Sequence, residues 1–330
     1  MPYIESFLPF DPQDTSDTFA RMNRLARTSS ATLTAVALLL GAVFALVAAD
    51  AASPAAKKPP PGVRIVPKAF TVKVAPTAGT GSATISDKQR LSTMCGSREY
   101  AVAQGIISST HPVMGQSFGP AAGSAFVVGA AGTAKVRTQI LCAKNVTVKH
   151  YRKAAKFIAG APGSSYGTAR GALTCPAGFA PSGMQTTLDY TPGFGAYSSL
   201  PNGPRGWLVQ VEQVPSSVTQ YTEAAWVDMA CIRATSVTKV TKKTTIANGV
   251  ATTSATCAGA RRALGWGMKV DAYTGYASGN DDWATPYVSR AQFTPNGKTM
   301  NFTFRVPAGQ TVTKPGSQIL VQVVCGIPKA

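Results

Sequence analysis

The sequence has 330 residues, 45% of them hydrophobic, with 31 Gly and 23 Pro. That is enough chain for one large or two small domains, and its turn-rich make-up favours β structure over helices. Lys and Arg number 32 against 14 Asp and Glu, a net charge of +18 that favours anionic partners: acidic polysaccharide, phospholipid headgroups or nucleic acid. The closest two of the six cysteines are 26 residues apart, and the two histidines, His111 and His150, flank no cysteine pair. This spacing argues against a metal centre, and no motif calls for a cofactor.

Residues 1–51 read as a signal peptide. Arg21, Arg24 and Arg27 form a basic region, residues 31–47 (ATLTAVALLLGAVFALV) an apolar run of 17, and Ala49-Asp50-Ala51 the small-x-small spacing of a cleavage site. Met22 offers a second start, since MNRLARTSS is an ordinary opening for such a segment and the acidic stretch 1–20 is not. The alternative is an uncleaved signal anchor, because 17 residues is the short limit for crossing a bilayer. With cleavage, no transmembrane span is expected in the mature chain. Residues 1–51 carry three Arg and five acids, so the remainder has 29 basic and 9 acidic residues, a net +20. The expected location is secreted, periplasmic or cell-surface, where nucleic acid is the weakest of the three partners.

Residues 52–85, rich in Pro, Ala, Lys, Gly and Thr, read as a disordered linker. Within it, 63–74 (VRIVPKAFTVKV) has strand character, and Pro67 confines it to a sheet edge. Residues 86–330 read as one β domain of three tandem repeats, 86–157, 158–246 and 247–330. The stretch GALTCPAGFAPSG (171–183) recurs in looser form as LSTMCGSREYAVAQG (91–105) and TSATCAGARRALGWG (253–267). Each repeat closes on an alternating run that ends in cysteine: KVRTQILC, AAWVDMAC and ILVQVVC. The runs SAFVVG (124–129), GWLVQVEQV (206–214) and MNFTFRV (300–306) precede these, and each pair reads as an antiparallel hairpin. Each repeat thus reads as four antiparallel strands with a cysteine on its first and last. Six cysteines in an exported chain read as three disulfides. Among the 15 connectivities the within-repeat choice is Cys95–Cys142, Cys175–Cys231 and Cys257–Cys325, closing loops of 48 to 69 residues. Each is worth on the order of 4 kcal/mol in the chain-entropy model. A four-stranded sheet has one apolar face and cannot bury it alone, so the expected fold is all-β, three sheets around a pseudo-threefold axis as a β-prism.

In the second repeat, Cys175, Pro176, Gly178, Ser182, Gly183, Thr222 and Cys231 match a pattern that resembles the vitelline membrane outer-layer protein repeat. The resemblance implies a β-prism of three disulfide-bonded Greek-key repeats. With Pro201, Gly206 and Trp207 the same repeat also resembles a Cys-Pro-x-Gly…Gly-Trp…Cys repeat of secreted bacterial proteins of unknown function. Repeats one and three lack the Pro after the first cysteine, and no copy has the Asp-Thr pair of the first family.

Chemistry-bearing motifs are sparse. G-x-S-x-G occurs at 115–119, around Ser117, and at 163–167, around Ser165. Such a motif serves a nucleophile only at a strand-to-helix turn, with an acid and then a histidine downstream. Ser165 has no histidine after it, and no Asp or Glu separates Ser117 from His150. Asp281 and Asp282 are an isolated acid pair that fits a turn better than a glycosidase, which needs two carboxylates across a sugar. Two segments, 189–207 and 271–287, carry aromatics with Asn and Gly. Tyr190, Phe194, Tyr197, Tyr273, Tyr276 and Trp283, with Asp281 and Asp282, are the candidate sugar-binding residues, by ring stacking and a few polar contacts. Trp207 begins a strand and reads as core. Two basic segments follow closing cysteines: Lys149, Arg152, Lys153 and Lys156, then Lys239, Lys242 and Lys243, the candidate anion-binding residues. The expected function is a secreted, non-catalytic binding module for carbohydrate or an anionic cell-envelope polymer. A structural or protective extracellular protein without a small ligand is the alternative, and a secreted hydrolase a distant third.

Overall fold

The computed structural model describes residues 62–74, 90–110, 113–118, 120–127, 132–158, 166–188, 197–215, 225–271, 274–276, 286–306, 310–312 and 317–330. These residues form strands, turns and irregular connections, with no helix among them. Among them, accordingly, no helix is long and apolar enough to cross a membrane; the run 31–47 lies outside them.

β1 (Gly62–Val74) precedes the first cysteine pair. Around that pair lie β2 (Arg90–Met94), β3 (Glu99–Ser109), β4 (Val113–Phe118), β5 (Ala122–Val127) and β6 (Gly132–Lys144), followed by β7 (Val148–Ala154) and β8 (Lys156–Ile158). Around the second lie β9 (Tyr166–Thr174), β10 (Phe179–Leu188), β11 (Tyr197–Asn202), β12 (Gly206–Pro215) and β13 (Ala225–Thr245). Around the third lie β14 (Val250–Thr256), β15 (Arg262–Asp271), β16 (Thr274–Tyr276), β17 (Tyr287–Phe293), β18 (Thr299–Arg305), β19 (Gln310–Val312) and β20 (Gln318–Pro328). One sheet runs β1-β6-β3-β17-β18-β14. A second path runs β10-β13-β20-β15-β11-β12-β9-β8, with β7 also on β13. β2-β5-β4 form a three-stranded sheet, and β16-β19 a two-stranded ribbon.

The alternating residues do what period-2 patterning requires. In β18, Met300, Phe302 and Phe304 are buried while Arg305 is exposed; in β6, Ala134 and Val136 are buried while Lys135 and Arg137 are exposed. One core cluster takes Val136, Ala291, Phe302 and Phe304 from the first sheet, and Trp207, Trp266, Ile319 and Val321 from the second. Trp207 is fully buried, as its position predicts, and its indole N–H donates to Ser199 Oγ at 2.9 Å. β1 lies inside the segment read as linker. It occupies a sheet edge, with Pro67 opposite Gln139, the position to which a strand proline is confined.

The three disulfides join Cys95 to Cys142, Cys175 to Cys231 and Cys257 to Cys325. The expected hairpins are not formed. β5 pairs with β2 and β4, β12 with β11 and β9, and β18 with β14 and β17. The closing strands β6, β13 and β20 pair instead with β3, β10 and β15, the strands that follow the opening cysteines. Alternation places a residue on a face but does not choose the neighbouring strand, and both pairings bury the same side chains. The disulfide makes the choice: each opening cysteine lies in the connection just before the strand that its bridged partner's strand flanks. Counting the strand just before each opening cysteine and leaving the β16–β19 ribbon aside, five strands rather than four accompany each cysteine pair: β2 to β6, β9 to β13, and β14, β15, β17, β18 and β20.

β13 is 21 residues long and serves two sheets. Its first part lies between β10 and β7, and from Ala234 onward it pairs with β20. The register shift between Thr235 and Thr238, with Ser236 at φ 52°, marks the passage. At Gly267 of β15, a Cβ would lie 2.9 Å from the Trp207 ring and collide with Ser199 O. Gly267→Ala is therefore expected to lose about 1–3 kcal/mol of stability through overpacking. Gly62→Ala, where nothing lies within 4 Å, is expected to stay within about 0.5 kcal/mol of the parent. Thermal or denaturant unfolding of both variants checks this, and equal stabilities would contradict the close approach.

Candidate functional site

The aromatic segments supply little of a described site. Tyr190, Phe194, Tyr273, Asp281, Asp282 and Trp283 lie outside the described residues. Tyr197 opens β11, its backbone opposite Val211 and Val270, and Tyr276 ends β16 opposite Gln310. Ser117 sits within β4 opposite Ser124 of β5, between antiparallel strands rather than at a strand-to-helix turn; Ser165 and His111 lie outside the described residues.

The two basic segments divide between sheets. Lys149, Arg152 and Lys153 belong to β7 and flank the first part of β13, opposite Cys231, Asp228 and Val227. Lys149 Nζ stands 5.3 Å from the Phe179 ring centroid, a cation–π contact. Arg152 Nε lies 3.5 Å from Oδ1 of Asp228, whose side chain is 4% exposed, so its charge is committed to a buried carboxylate. Lys156 belongs to β8 at the far edge of the second sheet, whereas Lys239, Lys242 and Lys243 belong to the second part of β13.

Antiparallel partners directly opposite one another share a face. Lys243 is opposite Leu320, Leu320 opposite Lys269, Lys269 opposite Ser198, Ser198 opposite Gln210, Gln210 opposite Arg170, and Arg170 opposite Lys156. These seven residues form one row across seven strands. Lys243, Lys269, Arg170 and Lys156 are exposed, and Leu320, Ser198 and Gln210 are half-buried. Their chain neighbours Ile319, Val321, Val270, Ser199 and Val209 turn the other way and are buried. With strands about 4.8 Å apart, the row extends about 29 Å. Lys239 lies two pleats from Lys243 on the same face and borders an open cleft of about 310 Å³ walled by Pro181, Pro204, Val237 and Val324. Lys242, opposite buried Val321, belongs to the other face of β13.

Thus Lys156 comes to one face with Lys239 and Lys243, from which it is distant in sequence, while Lys149, Arg152, Lys153 and Lys242 do not join it. Arg170 and Lys269 of the row were not among the sequence candidates. Each is a single cation inside an alternating strand, visible as an outward position only once the order of the strands is known.

Among the described residues three groups have displaced pKa values, and all serve the framework. Arg64 is held above its ordinary value, chiefly by its hydrogen bonds to Glu99. Glu99 is held below the usual carboxylate range, chiefly by the Arg64 side-chain hydrogen bonds: Arg64 Nε donates to Oε1 at 2.7 Å and Nη2 to Oε2 at 2.6 Å. Burial opposes this, and the Gly96 N–H supports it at 2.9 Å. Burial pushes His150 down, partly offset by its 2.8 Å hydrogen bond to Ala101 O. Arg64 ties β1 to β3, and His150 ties β7 to β3. Among the described residues, no three His, Cys, Asp or Glu side chains gather as metal ligands would. No family model matches the chain, and no curated protein is significantly similar to it.

A carboxylate with a depressed folded pKa contributes stability above its unfolded pKa of about 4.3, and loses it as pH falls through the folded value. Glu99→Gln is therefore expected to unfold at lower temperature than the parent at pH 7, with the gap closing as pH falls below about 4. Thermal melts across that range test it, and a gap of the same size at acid pH would assign the loss to something other than the Arg64–Glu99 pair.

Proposed function

We propose that this chain is a secreted, non-catalytic binding module that holds an acidic polysaccharide or similar anionic envelope polymer across the outer face of β13, β20, β15, β11, β12, β9 and β8. The row of Lys243, Lys269, Arg170 and Lys156 carries the reading. A linear polyanion lying across the strands would meet these cations in turn two, three and one strands apart, about 10, 14 and 5 Å. Each exposed cation contributes about 1 kcal/mol toward a densely anionic surface. Between them, Ser198 offers a hydroxyl for sugar hydroxyls, and Leu320 a half-buried apolar side chain for a ring. Export is supported by the signal-like segment and by three disulfides, which persist in oxidising compartments.

The scaffold in this proposal is three repeats arranged as a β-prism. Around each cysteine pair, counting the strands of the pattern and leaving the β16–β19 ribbon aside, the first pairs with the fourth (β2–β5, β9–β12, β14–β18). The third pairs with the fourth (β4–β5, β11–β12, β17–β18), and the second with the last (β3–β6, β10–β13, β15–β20). Third strands also pass to the second strand of another stretch, β11 to β15 and β17 to β3. Val102, Ser182 and Leu264, each seven residues after its opening cysteine, are fully buried, and Ser182 Oγ lies within hydrogen-bond reach of both Val102 O and Leu264 O. A shared axis accounts for that meeting.

The test is binding of the oxidised chain to a linear polyuronate and to neutral dextran at low and high salt. Polyuronate binding that weakens steeply with salt is expected, because exposed charges are screened. In the double variant Arg170→Gln/Lys269→Gln, affinity should fall roughly 10- to 30-fold at low salt with unchanged melting. Unchanged affinity would remove the row as the site. Salt-resistant binding, including to dextran, would move the function to the aromatic segments, and no binding would favour the structural reading.

A further inference from the structure

The sheet β1-β6-β3-β17-β18-β14 has a second cationic face. Arg137 is opposite Ala69 and Ser108, Lys135 opposite Thr71, Arg290 opposite Thr303, and Arg305 opposite Val250. All four cations are exposed, and none has an ion-pair partner among the described residues. The faces of β6 and β17 are continuous. Ile106 is opposite both Thr138 and Ala291, and all three are buried, so Arg137 and Arg290, each next to one of them in the chain, turn outward together. No Asp or Glu of these strands occupies that outward face among the described residues.

This sheet and the sheet of the Lys243–Lys156 row bury their inner faces in one core. Trp266 of β15 meets Phe302 of β18 with ring centroids 5.5 Å apart, and the Trp266 N–H donates to Gln104 O of β3 at 2.8 Å. Two sheets sharing a core present their outer faces in different directions. A stiff chain lying on one cannot lie on the other without turning around a sheet edge.

We infer that the protein bridges two anionic polysaccharide chains, one on each cationic face, and so cross-links its polymer rather than only coating it. This rests on the polyanion-binding reading above. Cations along β6, β17 and β18 stand on adjacent or next-adjacent strands, about 5–10 Å apart, a spacing within reach of successive acidic sugars. The hydroxyls of Thr71, Ser108 and Thr303 sit between them.

Titration calorimetry with a short oligouronate, and light scattering with a long polyuronate, test the inference on the full oxidised chain. The parent is expected to take two oligouronates per chain and to make long polyuronate scatter, with clearing at excess polymer. Arg137→Gln/Arg290→Gln should take one oligouronate per chain, keep the affinity of the remaining site within about threefold, and lose the scattering; each removed cation weakens its own face about fivefold. Arg170→Gln/Lys269→Gln should likewise lose scattering while keeping one site. A parent stoichiometry of one per chain overturns the bridging and leaves the polyanion reading standing, even if scattering occurs, since a self-associated single-site protein would also scatter. Scattering that persists in both double variants overturns it too. A parent that binds no oligouronate overturns both. Counting sites on the parent needs no variant to fold.

Discussion

A sheet with alternating side chains has one apolar face and no means of burying it alone. In this chain the constraint is met collectively: strands from all three cysteine-bracketed stretches turn their apolar residues into one cluster, with Phe302 and Phe304 on one side and Trp207, Trp266 and Val321 on another. The rest of the arrangement follows from reaching that cluster. β13 must serve two sheets, and the left-handed residue Ser236 with the register shift beside it lets a single strand do so. β15 must pass close to Trp207 and Ser199, which leaves room only for hydrogen at Gly267.

The disulfides act within this scheme as selectors of partners. Two alternating strands can pair with many others at similar cost, so hydrophobic pattern alone leaves the neighbour of a closing strand open. A bridge from the connection before β3, β10 or β15 to the closing strand makes one neighbour geometrically compulsory. It also closes a long loop, and so limits the unfolded chain. This is why the within-stretch cysteine pairing is legible in the sequence while the hairpins read beside it are not. The pairing needs only the order of cysteines along a repeating pattern; the hairpin reading rests on short connections, and chain proximity lost to the covalent link.

The same distinction governs the candidate site. Lys239 and Lys243 stand out in the sequence as part of a cluster, and Lys156 at the end of another. Arg170 and Lys269 do not, because each is one cation between small or apolar neighbours. What joins them is strand order, β20 to β15 to β11 to β12 to β9, a tertiary fact with no local signature. Conversely, clustering in sequence overstates what acts together. Lys242 and Lys243 are adjacent and so turn to opposite faces, and Arg152, beside Lys153, is drawn to buried Asp228. The edge position of β1 and the burial of Trp207 are legible because each depends on one residue's own chemistry, the missing N–H of proline and the size of indole.

Charge placement completes the connection between fold and function. Two carboxylates among the described residues, Glu99 and Asp228, are nearly buried, and each meets an arginine from a flanking strand, Arg64 of β1 and Arg152 of β7. A nearly buried carboxylate without such a partner would be costly, so the acids are committed as fasteners between strands. The cations have long stems and keep their charged ends in water while their strands pack, so the outer faces can be basic without strain on the core. Each of these two acids takes one arginine with it, so the pairs leave the excess of 32 basic over 14 acidic residues undiminished. Like charges on one outer face repel one another. The strand order that fastens Glu99 and Asp228 between strands also sets Lys243, Lys269, Arg170 and Lys156 in one exposed row, which is the ground on which the proposed polyanion site stands.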